Sequence, residues 1–196
     1  IDLPTLSSEL HRAGYRTGFL SSADNRYLGT DKFLSYRRFD KVLDRNAIPC
    51  GGVEFRYGAD RAGVDDGCLA EAFSGWLEEG QGQPFFCVLW TFQTHYPYFY
   101  AETPVEYEPA NASLNRYLNA LHHTDAVLGK VLSALESRHL LERTIVVVTS
   151  DHGEDFRRDV VALHAVTGEM LWMYRIDEGK RADQSVRRLS GRGVGY

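Results

Sequence analysis

Asp151, His152 and Gly153 stand together at the end of a run of β-branched residues, Thr144-Ile145-Val146-Val147-Val148-Thr149. A carboxylate oxygen and an imidazole nitrogen suit a borderline or hard divalent cation, and the glycine beside them lets the backbone turn tightly. If the run is a buried strand, the pair lies at its carboxyl end, where open α/β sheets place their ligands. A catalytic ion usually takes at least three protein ligands, so further donors must come from elsewhere. Two other segments place polar groups after an apolar run: residues 21–25, and Thr94-His95 after residues 84–91. Parallel strands would bring all three ends to one edge of a sheet, with His95 and Asp151-His152 sharing a cleft.

The elements needed to position these groups can be read along the chain. Leu6, Leu10 and Ala13, with Gly14 as a stop, predict a short amphipathic helix. Residues 15–22 read as a strand closed by a polar loop, and residues 26–64, rich in Tyr, Arg, Asp and Gly, as mostly irregular surface. The carboxylates of Asp65 and Asp66 suit the amino end of a helix whose apolar stripe is Leu69, Phe73, Trp76 and Leu77, ending at Gly80. Residues 84–91 form a second apolar strand. Ser113 can cap a long helix through Leu135, and residues 145–149 supply a third strand. Helices alternating with apolar strands predict an α/β fold, a mostly parallel sheet sandwiched by helices.

Composition excludes several classes. With 196 residues, 43% hydrophobic and 25% charged, the chain can bury a sizeable core. A net charge of -5 and the lack of a dense Lys/Arg cluster argue against a nucleic-acid partner. No apolar run approaches the roughly 18 residues of a membrane span, and the Ile1-Asp2-Leu3-Pro4 start carries no signal sequence, as expected of an internal piece. Cys50, Cys68 and Cys87 cannot all pair within the chain, and Cys87 reads as core. His122 and His123 point to different faces of the long helix and read as surface or packing residues. His11 and His139 read as solvated helix ends, and Trp76 and Trp90 as core and cleft wall. Asn111-Ala112-Ser113 fits both a glycosylation sequon and a helix cap.

Seven segments in order carry a family resemblance over residues 1–155: Leu3-Pro4-Thr5-Leu6, Ala13-Gly14-Tyr15-Arg16-Thr17, Val64-Asp65-Asp66, Pro84-Phe85-Phe86, Thr94-His95-Tyr96-Pro97, Thr124-Asp125-Ala126-Val127-Leu128-Gly129 and Thr149-Ser150-Asp151-His152-Gly153-Glu154. At these residues the chain resembles the sulfatase branch of the alkaline phosphatase superfamily. The resemblance implies metal-dependent cleavage or transfer of sulfate or phosphate esters, small-molecule or attached to lipid or glycan, outside the cytoplasm. It implies Asp151 and His152 as ligands of a divalent ion (Mn, Zn, Ca or Mg) and His95 as a contact to the sulfuryl or phosphoryl oxygens. Asp followed by His looks more like the phosphonate hydrolase and lipoteichoic-acid-synthase-like members than the arylsulfatases. The family's Cys/Ser-x-Pro-x-Arg nucleophile motif, expected before Leu3-Pro4, has no counterpart in the chain, and Cys50 is no substitute. Asp155-Phe156-Arg157-Arg158 interrupts the pattern after Glu154. The chain is therefore expected to be catalytically inactive by itself.

The segment 156–196 reads differently. Residues 159–174 alternate as two strands around Val166-Thr167-Gly168, a β-hairpin of propeller type. With Asp177 to Arg181 and Leu189 to Tyr196 it resembles a blade of the quinoprotein glucose dehydrogenases, which bind pyrroloquinoline quinone (PQQ), although His164 replaces that family's Asp. A single blade cannot complete a propeller, so PQQ is not expected to bind here. The leading function is thus a sulfatase-like ester hydrolase or transferase, with a quinoprotein dehydrogenase fragment as one alternative. A non-enzymatic remnant, or a join of two coding fragments, is the other.

Overall fold

The computed structural model describes residues 4–51, 54–57, 61–80, 82–100, 103–154, 159–163 and 170–175. The chain divides into two compact units, residues 1–145 and 146–196, each treated by itself.

In the first unit the sheet is built on strand β1 (Arg16–Ser21). It pairs in parallel with β2 (Lys41–Leu43) on one side and β5 (Phe85–Trp90) on the other, so the strand order is β2-β1-β5. Alternation along β1 sorts its two faces. Gly18 and Leu20 face helix α3 (Asp66–Glu79), where a Cβ on Gly18 would lie 3.0 Å from the Trp76 ring. Glycine is therefore what lets the largest fully buried side chain approach the strand this closely. Leu69, Phe73, Trp76 and Leu77 of α3 join Val127, Val131 and Leu135 of α4 (Ala112–Glu136) in one buried cluster. The opposite face carries Phe19, Phe39, Phe86 and Trp90, with Phe19 edge-on to Phe39 and to Trp90 at centroid distances of 5.6 and 5.8 Å. Helix α1 (Leu6–Arg12) precedes β1 and opens with a capping box. Thr5 Oγ1 accepts the Ser8 amide at 3.3 Å, and Ser8 Oγ accepts the Thr5 amide at 2.9 Å.

Several expectations change. Residues 26–64, expected to be mostly irregular, are interrupted by short elements: α2 (Thr30–Ser35), β2, and the antiparallel pair β3 (Glu54–Tyr57) and β4 (Arg61–Val64). These elements are three to six residues long, too short to express a periodicity, and their pairing is fixed by neighbours distant in sequence. The long helix is capped by Asn111, whose side chain accepts the Leu114 amide at 3.1 Å, rather than by Ser113. The third strand is also corrected. Residues 145–149 join no ladder among the described residues, and Ile145, Val147 and Val148 are 93%, 78% and 71% exposed. β-branched composition describes a fit to a half-buried pleated surface, and without a strand beside it the segment has no ladder to enter.

Cys50 and Cys68 form a disulfide, tying the loop after β2 to the first turn of α3, and Cys87 stays a thiol on β5 whose burial pushes its ionisation well above the usual range. In the second unit β6 (Asp159–Leu163) and β7 (Met170–Arg175) pair antiparallel, as the alternation predicts, with a register shift after Ala162. The connecting turn, His164 and residues 176–196, which carry the rest of the quinoprotein resemblance, lie outside the described residues.

Candidate functional site

Because β1 and β5 are parallel, their carboxyl ends share one edge of the sheet. Two of the three expected polar ends therefore meet. The Ser22 amide donates to the Trp90 carbonyl at 3.2 Å, and Ser21, Ser22 and Asn25 are buried there. Beyond β5 the chain turns through Phe92 to Phe99. The His95 amide donates to Phe92 O at 3.0 Å, the Tyr98 amide to His95 O at 2.8 Å, and the Tyr96-Pro97 peptide is cis. The turn leaves His95 exposed with its ring stacked on Phe92, centroids 5.9 Å apart and planes 8° off parallel. His95 Nδ1 lies 2.6 Å from the Tyr96 carbonyl. With Nδ1 donating there, Nε2 is the nitrogen left for a ligand.

Sequence reading missed the groups that hold this edge together. Asp66, expected only to favour a helix terminus, is completely buried. Its Oδ1 accepts from Ser22 Oγ and, at 2.9 Å, from the Phe92 amide, while Oδ2 accepts the Gln93 amide at 3.2 Å. Burial pushes its carboxyl up, and the hydrogen bonds from Ser22, Phe92 and Gln93 pull it back. Gln93, also buried, accepts the Asp66 amide with Oε1 at 2.5 Å and donates from Nε2 to Phe99 O at 3.3 Å. The adjacent Asp65 caps α3, accepting the Gly67 amide at 2.6 Å, and lies 3.2 Å from Nε2 of the buried His123. The hydrogen bond from His123 holds the Asp65 carboxyl below the usual range, against burial, with help from the Gly67 amide and the Lys130 charge. His122 is exposed beside Tyr107, so the two histidines do point apart, but His123 is tied to the site's edge. The one sequence signal for this network was the doubled carboxylate at a helix start that needs a single cap.

Asp151 and His152 lie in the second unit. The His152 amide donates to Asp151 Oδ1 at 3.0 Å, and His152 Nδ1 lies 2.9 Å from Gly153 O. That leaves His152 Nε2 and Asp151 Oδ2 on offer, 3.7 Å apart, with side chains 54% and 71% exposed. Two donors of one ion at bonds of about 2.0–2.2 Å are separated by roughly 3–4 Å, so the residues present fit two ligands of one ion. The Gly153 carbonyl, with the Asp151 charge behind it, raises the His152 ionisation above its ordinary value. Among the described residues no three His, Cys, Asp or Glu side chains cluster as a complete metal site.

The sequence model of one family, described as Sulfatase, matches residues 1–177, running through both β6 and β7. Phosphoglycerol transferase I of Xanthomonas axonopodis pv. citri is 27% identical over 150 residues, covering 75% of this chain and 21% of that protein. The enzyme of the same name from Escherichia coli is 24% identical over 75% of the chain and 20% of its own length. The chain thus spans about a fifth of the length of these relatives. Among solved structures, the lipoteichoic acid synthase LtaP of Listeria monocytogenes superposes with a TM-score of 0.61 at 22% identity, over 70% of this chain and 34% of that one. An alkaline phosphatase superfamily protein from Vibrio parahaemolyticus gives 0.55, also at 22% identity, over 67% and 31%. These likenesses support the α/β fold with its parallel sheet. They lend no support to a PQQ-binding propeller fragment.

Proposed function

This chain belongs to the Sulfatase family, and from that premise we propose that it contributes part of the active-site face of a metal-dependent transferase or hydrolase of phosphate esters. The observation that carries the proposal is the Asp151 and His152 pair, with Oδ2 and Nε2 3.7 Å apart and Nδ1 engaged by a backbone carbonyl, the arrangement that orients an imidazole toward an ion. A divalent ion held there would polarise a phosphoryl or sulfuryl oxygen as a Lewis acid. His95 would contact the ester oxygens through Nε2, from a ring held by the Phe92 stack and the Tyr96 carbonyl.

Phosphate is favoured over sulfate by the relatives, which are named phosphoglycerol transferases, and the substrate class we propose is a glycerol-phosphate ester carried on lipid or glycan. The Cys50–Cys68 disulfide supports an extracytoplasmic location, since such bonds persist in oxidising compartments. Among the described residues no helix is long and apolar enough to cross a membrane. The chain contains no Cys/Ser-x-Pro-x-Arg motif, so we propose that its 196 residues bind without turning over. The test is a titration of the chain with sn-glycerol 1-phosphate and, in parallel, methyl sulfate, with Mn²⁺ present, following the His95 ring by NMR. The reading predicts a saturable His95 response to glycerol phosphate that His95→Ala abolishes. No His95 response, or equal affinity in the variant, contradicts it.

A further inference from the structure

Among the described residues, only the Asp66 carboxylate bonds both backbone amides at the start of the His95 turn, those of Phe92 and Gln93. It lies 26 and 27 residues away from them in sequence, and its third partner, Ser22 Oγ, comes from the end of β1. Gln93 returns the contact by accepting the Asp66 amide and then reaches across the turn to Phe99 O, whose own amide donates to Gln93 O at 3.1 Å. The start of the turn is thus tied directly to the buried carboxylate, and its end through Gln93. The ring of Phe92, whose amide Asp66 fixes, is the surface on which His95 stacks. From below, Phe92 is pressed against Gly63 of β4, where a Cβ would come within 2.3 Å of Phe92 Cδ1, and it continues through Phe99 to Phe55 in a file of near-parallel rings.

A carboxylate taken fully out of water is costly, and among the described residues neither a Lys nor an Arg side chain donates a hydrogen bond to it. Helix α3 does not require it, because Asp65 already supplies the cap. We propose that Asp66 is a positioning residue that sets the orientation of the His95 imidazole by clamping the amides of Phe92 and Gln93. The role rests on the reading of His95 as a phosphoryl contact. Asp66 touches no ligand itself. It makes the His95 rotamer a consequence of the sheet edge, so a ligand need not order the turn when it binds.

The experiment uses the full chain, isotope-labelled, as parent, Asp66→Asn, Ser22→Ala and His95→Ala. Three readouts are taken: amide hydrogen exchange at Phe92 and Gln93, the chemical shift of the His95 ring, and its titration with inorganic phosphate. Asp66→Asn keeps the shape but turns an NH2 group toward an amide that needs an acceptor. In that variant we expect the two amides to lose protection and the ring shift to move toward that of a free histidine. Phosphate affinity should fall about tenfold, while helix content and the remaining protected amides stay as in the parent. Ser22→Ala should move the same readouts in the same direction by less, and decides the matter if Asp66→Asn does not fold. A folded Asp66→Asn, or failing that Ser22→Ala, with an unchanged ring shift and unchanged exchange at both amides overturns the proposal. If phosphate leaves the parent's His95 unmoved, the ligand role of His95 fails, while exchange and ring shift still decide whether Asp66 orients it.

Discussion

Asp65 and Asp66 are neighbours with opposite electrostatic surroundings: the His123 hydrogen bond pulls the first carboxyl down, and burial pushes the second up. For Asp65, whose folded ionisation lies below the unfolded value near 4, the stabilisation is present above about pH 4 and is lost as pH falls through the folded value. Asp65→Asn keeps a good helix cap and removes the charge. Urea unfolding at pH 7 should show a loss of about 1–2 kcal/mol, and the gap to the parent should narrow as the pH drops below 4. Equal stabilities at pH 7 would contradict the assignment. Candidate residues could be marked where the signal was local. Asp151, His152 and Gly153 adjoin, and His95 follows an apolar strand, so type and spacing were enough to mark them. The Ser22, Asp66 and Gln93 network was not legible, because its bonded pairs are 44 and 27 residues apart and meet only once β1 and β5 lie side by side.

Among elements, those with a strong period came through: α1, β1, α3, β5 and α4 all lie within a few residues of their expected spans. Those that failed did so for want of a partner or of length. Residues 145–149 have strand composition but no strand beside them among the described residues, whereas β2 has three residues, no visible pattern, and a ladder with β1. Two changes test how the smaller elements brace the site. Gly63→Ala drives a methyl group into Phe92 and should cost about 1–3 kcal/mol, the overpacking range, with a shifted His95 resonance. A wild-type melting curve for that variant would show that β4 does not press on the turn. The Cys50–Cys68 bond closes a loop of separation 18 onto the first turn of α3. Replacing both cysteines with serine should lower the unfolding free energy by about 3 kcal/mol, read by denaturant titration, with no effect of reductant on the double variant.

At the scale of the molecule, the family membership and the parallel α/β sheet were both readable in the ordered motifs of residues 1–155, and the Sulfatase match extends to residue 177. The tail's alternation was read correctly as an antiparallel pair, but two alternating strands are common to many folds, and the propeller assigned to them has no support. That the chain binds without turning over is a proposal with a direct test. Added Mn²⁺ or Zn²⁺ should give no hydrolysis of a p-nitrophenyl phosphate or sulfate ester above the rate of the heat-denatured chain. Whether Asp151 and His152 hold a divalent ion is decided by calorimetric titration of Mn²⁺ and Zn²⁺ into the parent chain, Asp151→Ala and His152→Ala. Binding to the parent should be saturable and should weaken about tenfold or more in each variant. The same affinity in all three proteins, or no binding to the parent, would contradict it.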